Sequence, residues 1–207
     1  TLAHMINLLC RPDEGRVLVG GQDFATLTDD QRGAVWQRFG VLFQNYALFD
    51  FMTVGENIGF PLEQRRDGLS KAEIAARVSA RLTEVDLPGT EHLFPGELSG
   101  GMKKRVALAR ATIADAELLL YDDPTAGLDP VTSSKIFALI RRLHPPGGVT
   151  VIVSHDIDRM LPVCQRYVLI DKGTVRFQGD RAALRQSTDP MVRTFFDEGG
   201  QLGGAPS

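Results

Sequence analysis

The segment Leu118–Pro130 reads LLLYDDPTAGLDP. An apolar run ending in two carboxylates is the pattern of a buried strand whose polar tail emerges at its C-terminal end, the edge where parallel sheets bind ligands. Asp122 could hold a divalent cation such as magnesium through its water shell, and Asp123 could orient or deprotonate an attacking water. A strand ending in a solvated Asp–Asp–Pro turn describes the pair equally well. A second segment changes that balance. Leu98–Met102, LSGGM, sets Ser99, Gly100 and Gly101 at the start of a helix. Backbone N–H groups are unpaired there, the helix dipole is positive, and glycine lets an anion approach closely, so a phosphate is the natural guest. A lone Ser-Gly-Gly is more often a flexible turn. Three further polar residues follow apolar runs or a turn: Gln44 after FGVLF, His155 after VIVS, and Asp129 after Ala126–Gly127–Leu128. Each alone is an ordinary structural residue. Together, in the order Gln44, LSGGM, YDDPTAGLD, SHD, they would collect on one rim of a sheet, and coincidence becomes remote.

The elements that must position these residues follow from hydrophobic periodicity. Leu2, Met5, Ile6 and Leu9 have helical spacing, and Pro12 and Gly15 close that segment. Arg16–Val19 and Gln22–Phe24 read as a hairpin across Gly20–Gly21. Thr28 begins a helix through about Arg38, and Phe39–Phe43 is a continuous apolar run, as in a strand covered on both faces. From Thr53 to Val85 the pattern is helical, broken at Pro61 and at the Asp67–Gly68 turn, with Ile74, Val78, Leu82 and Val85 on one stripe. Pro88–Gly96 is a loop, and Ser99 opens a helix to about Ile113. Leu118–Tyr121, Val149–Val153 and Tyr167–Ile170 are expected as further buried strands, with Thr174–Phe177 a hairpin strand after Lys172–Gly173. Helices fill residues 131–143 and 156–162. Strands alternating with helices predict a parallel sheet with helical crossovers. The almost wholly helical stretch from 45 to 110 is expected as a subdomain beside it, and residues 198–207, the Gly-rich EGGQLGGAPS, as a frayed tail.

Composition narrows the classes. The chain has 207 residues, 43% hydrophobic and 24% charged, the balance of a soluble globular domain. A net charge of −3 lacks the basic excess of a nucleic-acid binder, and the short clusters Arg65–Arg66, Lys103–Arg105 and Arg141–Arg142 read as solvated helix faces. Cys10 and Cys164 are far apart, in apolar contexts, and form no metal or redox pair; small buried thiols suit a reducing compartment. No run approaches 18 apolar residues, and no signal peptide is legible. The chain opens on Thr1 within an apolar-periodic segment, so it reads as cut.

In its motif order the chain resembles the nucleotide-binding subunits of ATP-binding-cassette (ABC) transporters, and the likeness covers nearly all of it. The resemblance implies a P-loop NTPase-like (RecA-like) α/β core from residues 1–44 and 111–207, with residues 45–110 an inserted helical subdomain carrying the signature motif. It implies ATP and Mg2+ as cofactors. LSGGM looks like the signature motif, so that Ser99, Gly100 and Gly101 reach across a dimer to the partner's γ-phosphate. Gln44 looks like the Q-loop glutamine that senses magnesium and the transmembrane partner. Leu118–Asp122 looks like Walker B, with Asp122 on the metal. Asp123 takes the position of the catalytic carboxylate, Asp129 that of the D-loop aspartate at the dimer seam, and His155 that of the switch histidine.

Two departures from the family stand out. The Gly-rich phosphate-binding loop ending in Gly-Lys-Ser-Thr is absent, and Thr1 aligns best with its last threonine. The chain is thus expected to be truncated before the P-loop and inactive alone. Loss of the strand that feeds that loop is expected to unpair two neighbours in the sheet. Asp123 stands where the family usually has glutamate, and a carboxylate about 1.5 Å shorter in reach (one C–C bond) is expected to slow hydrolysis rather than abolish it.

Within the superfamily, FQNYALFDFMTVGENIGFPL, LSGGMKKRVALARA and DPMVRTFFDEG are similar to the Mla/Mkl-type phospholipid-transport ATPases. Met102, where most import ATPases carry glutamine, points the same way. The resemblance implies a homodimer on the cytoplasmic side of the inner (plasma) membrane, with a transmembrane permease, a lipid-binding partner protein and no nucleic acid. The aromatic-rich Phe43–Pro61 would suit a groove for a short permease helix, or core packing. Other readings are the ATPase of a different importer, a non-hydrolytic binding or regulatory remnant, and an ABC protein of chromosome organisation or DNA repair. About 54 residues between Gln44 and Ser99, without heptads or Cys pairs, speak against the last.

Overall fold

The computed structural model describes residues 12–65 and 68–197. They fall in two compact units that divide between Val153 and Ser154. The first opens with the expected hairpin, β1 (Leu18–Val19) and β2 (Gln22–Asp23), closed by Gly20 and Gly21 at φ 57° and 81°. Both turn positions need positive φ, which glycine adopts without steric cost. Then follow α1 (Asp29–Trp36), β3 (Phe39–Leu42), α2 (Val54–Gln64), α3 (Lys71–Glu84), α4 (Gly100–Thr112), β4 (Leu118–Asp122), α5 (Pro130–Arg142) and β5 (Val149–Val153). Local chemistry sets the helix starts. Thr28, Thr53 and Ser70 each close a capping box with Gln31, Glu56 and Glu73.

β3, β4 and β5 form the expected parallel sheet in that order. Leu42 pairs with Tyr121, and Tyr121 with Ile152, so the three strands end level at their carboxyl edge. Leu119, Leu120 and Tyr121 bury the middle strand, and Val54, Ile58, Leu62, Val78, Leu82 and Val106–Ala109 bury the helices. Gly40 lets α4 lie directly on β3: a Cβ there would meet the Ala111 carbonyl oxygen at 1.9 Å. Asn57, fully buried, serves the loop before its own helix. Its amide donates to the carbonyls of Phe49, Met52 and Thr53, and its oxygen accepts from Phe49 N–H.

Some sequence expectations need correction. Pro61 does not break the helix: α2 runs through it, because packing of Ile58 and Leu62 in the core outweighs a local cost of about 3 kcal/mol. β5 is not covered on both faces, since Val149 and Val153 are 56% and 39% exposed. The Tyr167–Ile170 strand does not join the parallel sheet. It forms β6 (Arg166–Asp171), which pairs antiparallel with β7 (Thr174–Asp180) across Lys172–Gly173, both at positive φ. A two-residue turn can only return the chain antiparallel.

The second unit holds α6 (Ile157–Met160), one turn rather than the expected 156–162, then β6, β7, α7 (Arg181–Gln186) and α8 (Pro190–Asp197). Its core gathers Ile157, Leu161, Tyr167, Leu184 and Val192, with Cys164 packed against it as a small apolar side chain. Tyr167 is buried with its hydroxyl donated to the Leu161 and Cys164 carbonyls. Thr1, Cys10 and the expected tail at 198–207 lie outside the described residues.

Candidate functional site

The site begins at the carboxyl edge of the parallel sheet. Asp122 is the last residue of β4, and Asp123 the first beyond it. The Asp123 N–H donates to Val153 O at 2.8 Å, which extends the β4–β5 ladder by one step before the chain turns at φ 46°. Aspartate tolerates this left-handed conformation better than most residues. The Asp123 carbonyl then accepts from Ala126 N–H at 3.2 Å, closing the turn. Gln44 lies two residues past the end of β3, exposed, at the same edge.

One side chain connects these two strand ends. Lys104, on the second turn of α4, is fully buried. Its Nζ donates to the Gln44 carbonyl at 2.7 Å and to the Asp123 carbonyl at 3.2 Å, and sits 4.9 Å from the centroid of the Tyr46 ring. Burial pushes its pKa down; the charges of Asp123 and Asp122 oppose that shift. A buried ammonium is tolerable because two carbonyls and an aromatic face replace water around it. Six residues further along α4, Arg110 donates to the carbonyls of Ala47 at 2.7 Å and Tyr46 at 2.9 Å, with its guanidinium 5.7 Å from the Phe49 ring centroid. Tyr46 and Ala47 have φ 61° and 50°. Non-glycine residues held in this region cost about 1–3 kcal/mol each, and Arg110 holds the carbonyls of both.

Lys104 corrects the expectation of a solvated face at Lys103–Arg105. Sequence reasoning also missed Tyr46 and Arg110. A signal for Lys104 was present: it stands four and seven residues before Leu108 and Ala111, all three buried on α4.

Ser99 is the N-cap of α4, its Oγ accepting from Met102 N–H at 3.3 Å. It is exposed with Gly100, while Gly101 is half-buried. Gly101 also has an internal reason to be glycine, because a Cβ there would meet Thr132 Cγ2 at 3.0 Å. Asp129 is exposed and caps α5, accepting from Val131 N–H, Thr132 N–H and the Thr132 hydroxyl at 2.9, 3.0 and 2.6 Å. The Thr132 hydroxyl, then the backbone donors, hold its carboxyl below the usual carboxylate range. His155 is exposed in the second unit, its carbonyl accepting from Ile157 N–H. Thus Gln44, Asp122, Asp123 and the Ser99 helix start belong to one unit, with Gln44 and Asp123 joined through Lys104.

Magnesium commonly keeps several waters and binds through one or two carboxylates plus substrate phosphates. The donors here fit that habit. Asp122 and Gln44, at the ends of the paired strands β4 and β3, share one edge and are the donors such an ion would use.

Known proteins place this arrangement. The sequence pattern described as "ABC transporter" matches residues 1–126. The intermembrane phospholipid transport system ATP-binding protein MlaF of Escherichia coli K12 is 37% identical over 95% of this chain and 73% of its own length. Protein TRIGALACTOSYLDIACYLGLYCEROL 3, chloroplastic, of Arabidopsis thaliana is 38% identical over 94% of this chain and 61% of its own. The methionine import ATP-binding protein MetN 1 of Listeria innocua is 37% identical over 86% of this chain and 53% of its own. The chain therefore spans less than two thirds of the length of those last two relatives. Among solved structures, the ATP-binding cassette MJ0796, a dimer bound to ADP and Pi after hydrolysis, aligns with TM-score 0.78 at 30% identity, covering 86% of this chain and 78% of that one. With parallel strand ends, a capped Ser-Gly-Gly helix start and the sequence pattern in agreement, this chain belongs to the ATP-binding domains of the ABC transporter family.

Proposed function

We propose that the chain is the ATP-hydrolysing part of an ABC transporter that moves phospholipid, working as a homodimer on the cytoplasmic side of the inner membrane. The observation that carries the lipid reading is the 37% identity to MlaF across 95% of the chain. A second relative, in Arabidopsis, carries a glycolipid in its name. In this reading residues 1–44 and 111–207 form the nucleotide core, and residues 45–110 the helical subdomain. Asp122 and Gln44 hold magnesium, which when bound neutralises charge on the phosphates. Asp123 orients or accepts a proton from the attacking water, and His155 contacts the γ-phosphate. Ser99, Gly100 and Gly101 meet the nucleotide of the second copy, Asp129 lies at the seam, and Thr1 belongs to the phosphate site. The dimeric MJ0796 cassette supports the pairing. A transmembrane permease would dock beside Phe51, which is 76% exposed and 5.7 Å from Phe49 between ring centroids. A lipid-binding protein completes the assembly.

Likeness to a methionine importer favours a second reading, in which the cargo is an amino acid. Purification of the full-length protein with its membrane partners, followed by mass spectrometry of bound small molecules and ATP turnover with phospholipid or methionine, separates the two. Co-purified phospholipid that stimulates turnover supports the lipid reading. Stimulation by methionine alone would overturn it.

A further inference from the structure

We propose that Lys104 is a positioning residue that locks the Gln44 loop and the Asp123 loop to the signature helix, so that the three shift as one body. The proposal rests on the ATPase reading above, but its geometry does not. Gln44 and Asp123 each lie two residues past Leu42 and Tyr121, the last pair of the β3–β4 register, so a further link between them must come from elsewhere. The Lys104 ammonium supplies it, with Nζ donating to both carbonyls at 2.7 and 3.2 Å. The side chain is fully buried, so neither bond is traded against water. Tyr46, two residues after Gln44, covers the ammonium with its ring, and Arg110 fixes Tyr46 and Ala47 from the next turns of the same helix. Each loop is therefore held at a residue of positive φ or next to one: Asp123 itself on one side, Tyr46 and Ala47 on the other. Conformations of that kind persist only where the surroundings over-determine them.

The consequence is directional. A displacement of the Ser99 end of α4, as a partner's nucleotide would impose, is passed to the metal-side glutamine and to the carboxylate beside the attacking water. Through its two bonds to main-chain carbonyls, Lys104 acts on the backbone it holds.

The test uses the full-length protein and two readouts. In Lys104→Met, which keeps an unbranched chain of similar bulk and removes the donors, amide exchange without nucleotide is expected to quicken about tenfold at Tyr46, Ala47, Asp123 and Ala126. Each of these N–H groups has a backbone acceptor in the native structure. Exchange in α3 should hold steady. ATP turnover is expected to fall in kcat by about ten- to a hundredfold, the scale for a misplaced reacting group, with KM for ATP changed less than twofold. Lys104→Arg, which can still donate to both carbonyls, should recover most of the exchange protection and of kcat. If Lys104→Met does not fold, Lys104→Gln replaces it; its amide is about 1.5 Å too short (one C–C bond) to reach both carbonyls, and the same two shifts are expected. Unchanged exchange at either loop overturns the proposal, whatever the turnover. So does a kcat in Lys104→Arg as low as in Lys104→Met. A wild-type protein that shows the exchange differences to its variants but hydrolyses no ATP overturns the ATPase reading and leaves the clamp standing.

Discussion

Replacing Gly40 by alanine tests the packing that seats α4 on β3. The added Cβ would lie 1.9 Å from the Ala111 carbonyl oxygen and 2.7 Å from Leu119 Cδ2. Ordinary contact begins near 3.4 Å, so the first approach is about 1.5 Å too close. The obstructing atom is backbone near the end of α4, which no rotamer change can move aside. Either β3 must distort or the helix must lift from the sheet. Overpacking of this kind typically costs 1–3 kcal/mol, and with main chain on both sides the upper end, about 3 kcal/mol, is expected. For a chain of this size that lowers the thermal midpoint by about 6–12 °C. Gly33, in the exposed middle of α1 with nothing within 4 Å of its Cβ position, is the matched control. Gly33→Ala should stabilise by about 0.5–1 kcal/mol, because alanine restricts the unfolded chain and suits a helix. Circular dichroism melts of both variants at one protein concentration measure the contrast. A Gly40→Ala midpoint within about 2 °C of wild type would refute direct helix-on-strand contact at this position.

Further expectations concern the site and the core. Tyr121 is fully buried, burial raises its phenol pKa, and among the described residues its hydroxyl has no hydrogen-bond partner. Tyr121→Phe should therefore raise stability by about 1 kcal/mol in urea unfolding; a loss of that size would reveal a partner for the hydroxyl. Asp129 has a depressed folded pKa, owing first to the Thr132 hydroxyl. Its contribution to stability is present above the unfolded value of about 3.9 and is lost as pH falls through the lower folded value. A carboxyl-carbon NMR titration of Asp129 should give a midpoint below about 3.9, and a midpoint at or above it would contradict the capping geometry. Asp123→Glu in the full-length protein should raise ATP turnover by about tenfold, within the range of general-base effects, if the shorter carboxylate limits the rate. An unchanged kcat would dismiss that cause.

Much of the chain could be read without coordinates because its signals are local. The Thr28, Thr53 and Ser99 caps begin helices where the sequence places them, since capping depends on a side chain and the next three amides. The apolar runs at 39–43, 118–121 and 149–153 are strands, and the double-glycine and Lys-Gly turns are hairpins, for the same reason. The motif order, and through it the family, is likewise a property of the linear chain.

What remained hidden depends on partners distant in sequence. Whether Pro61 ends a helix is decided by how much Ile58 and Leu62 gain on burial. The spacing of Lys104 to Leu108 and Ala111 marks which lysine could turn inward, but only α4 lying against β3 closes Lys104 off from water. The types and order of the chemical groups are thus written in the sequence. The contact that joins Gln44 to Asp123 exists only in the folded chain, because a charge is worth burying only where folding has already gathered the carbonyls that receive it.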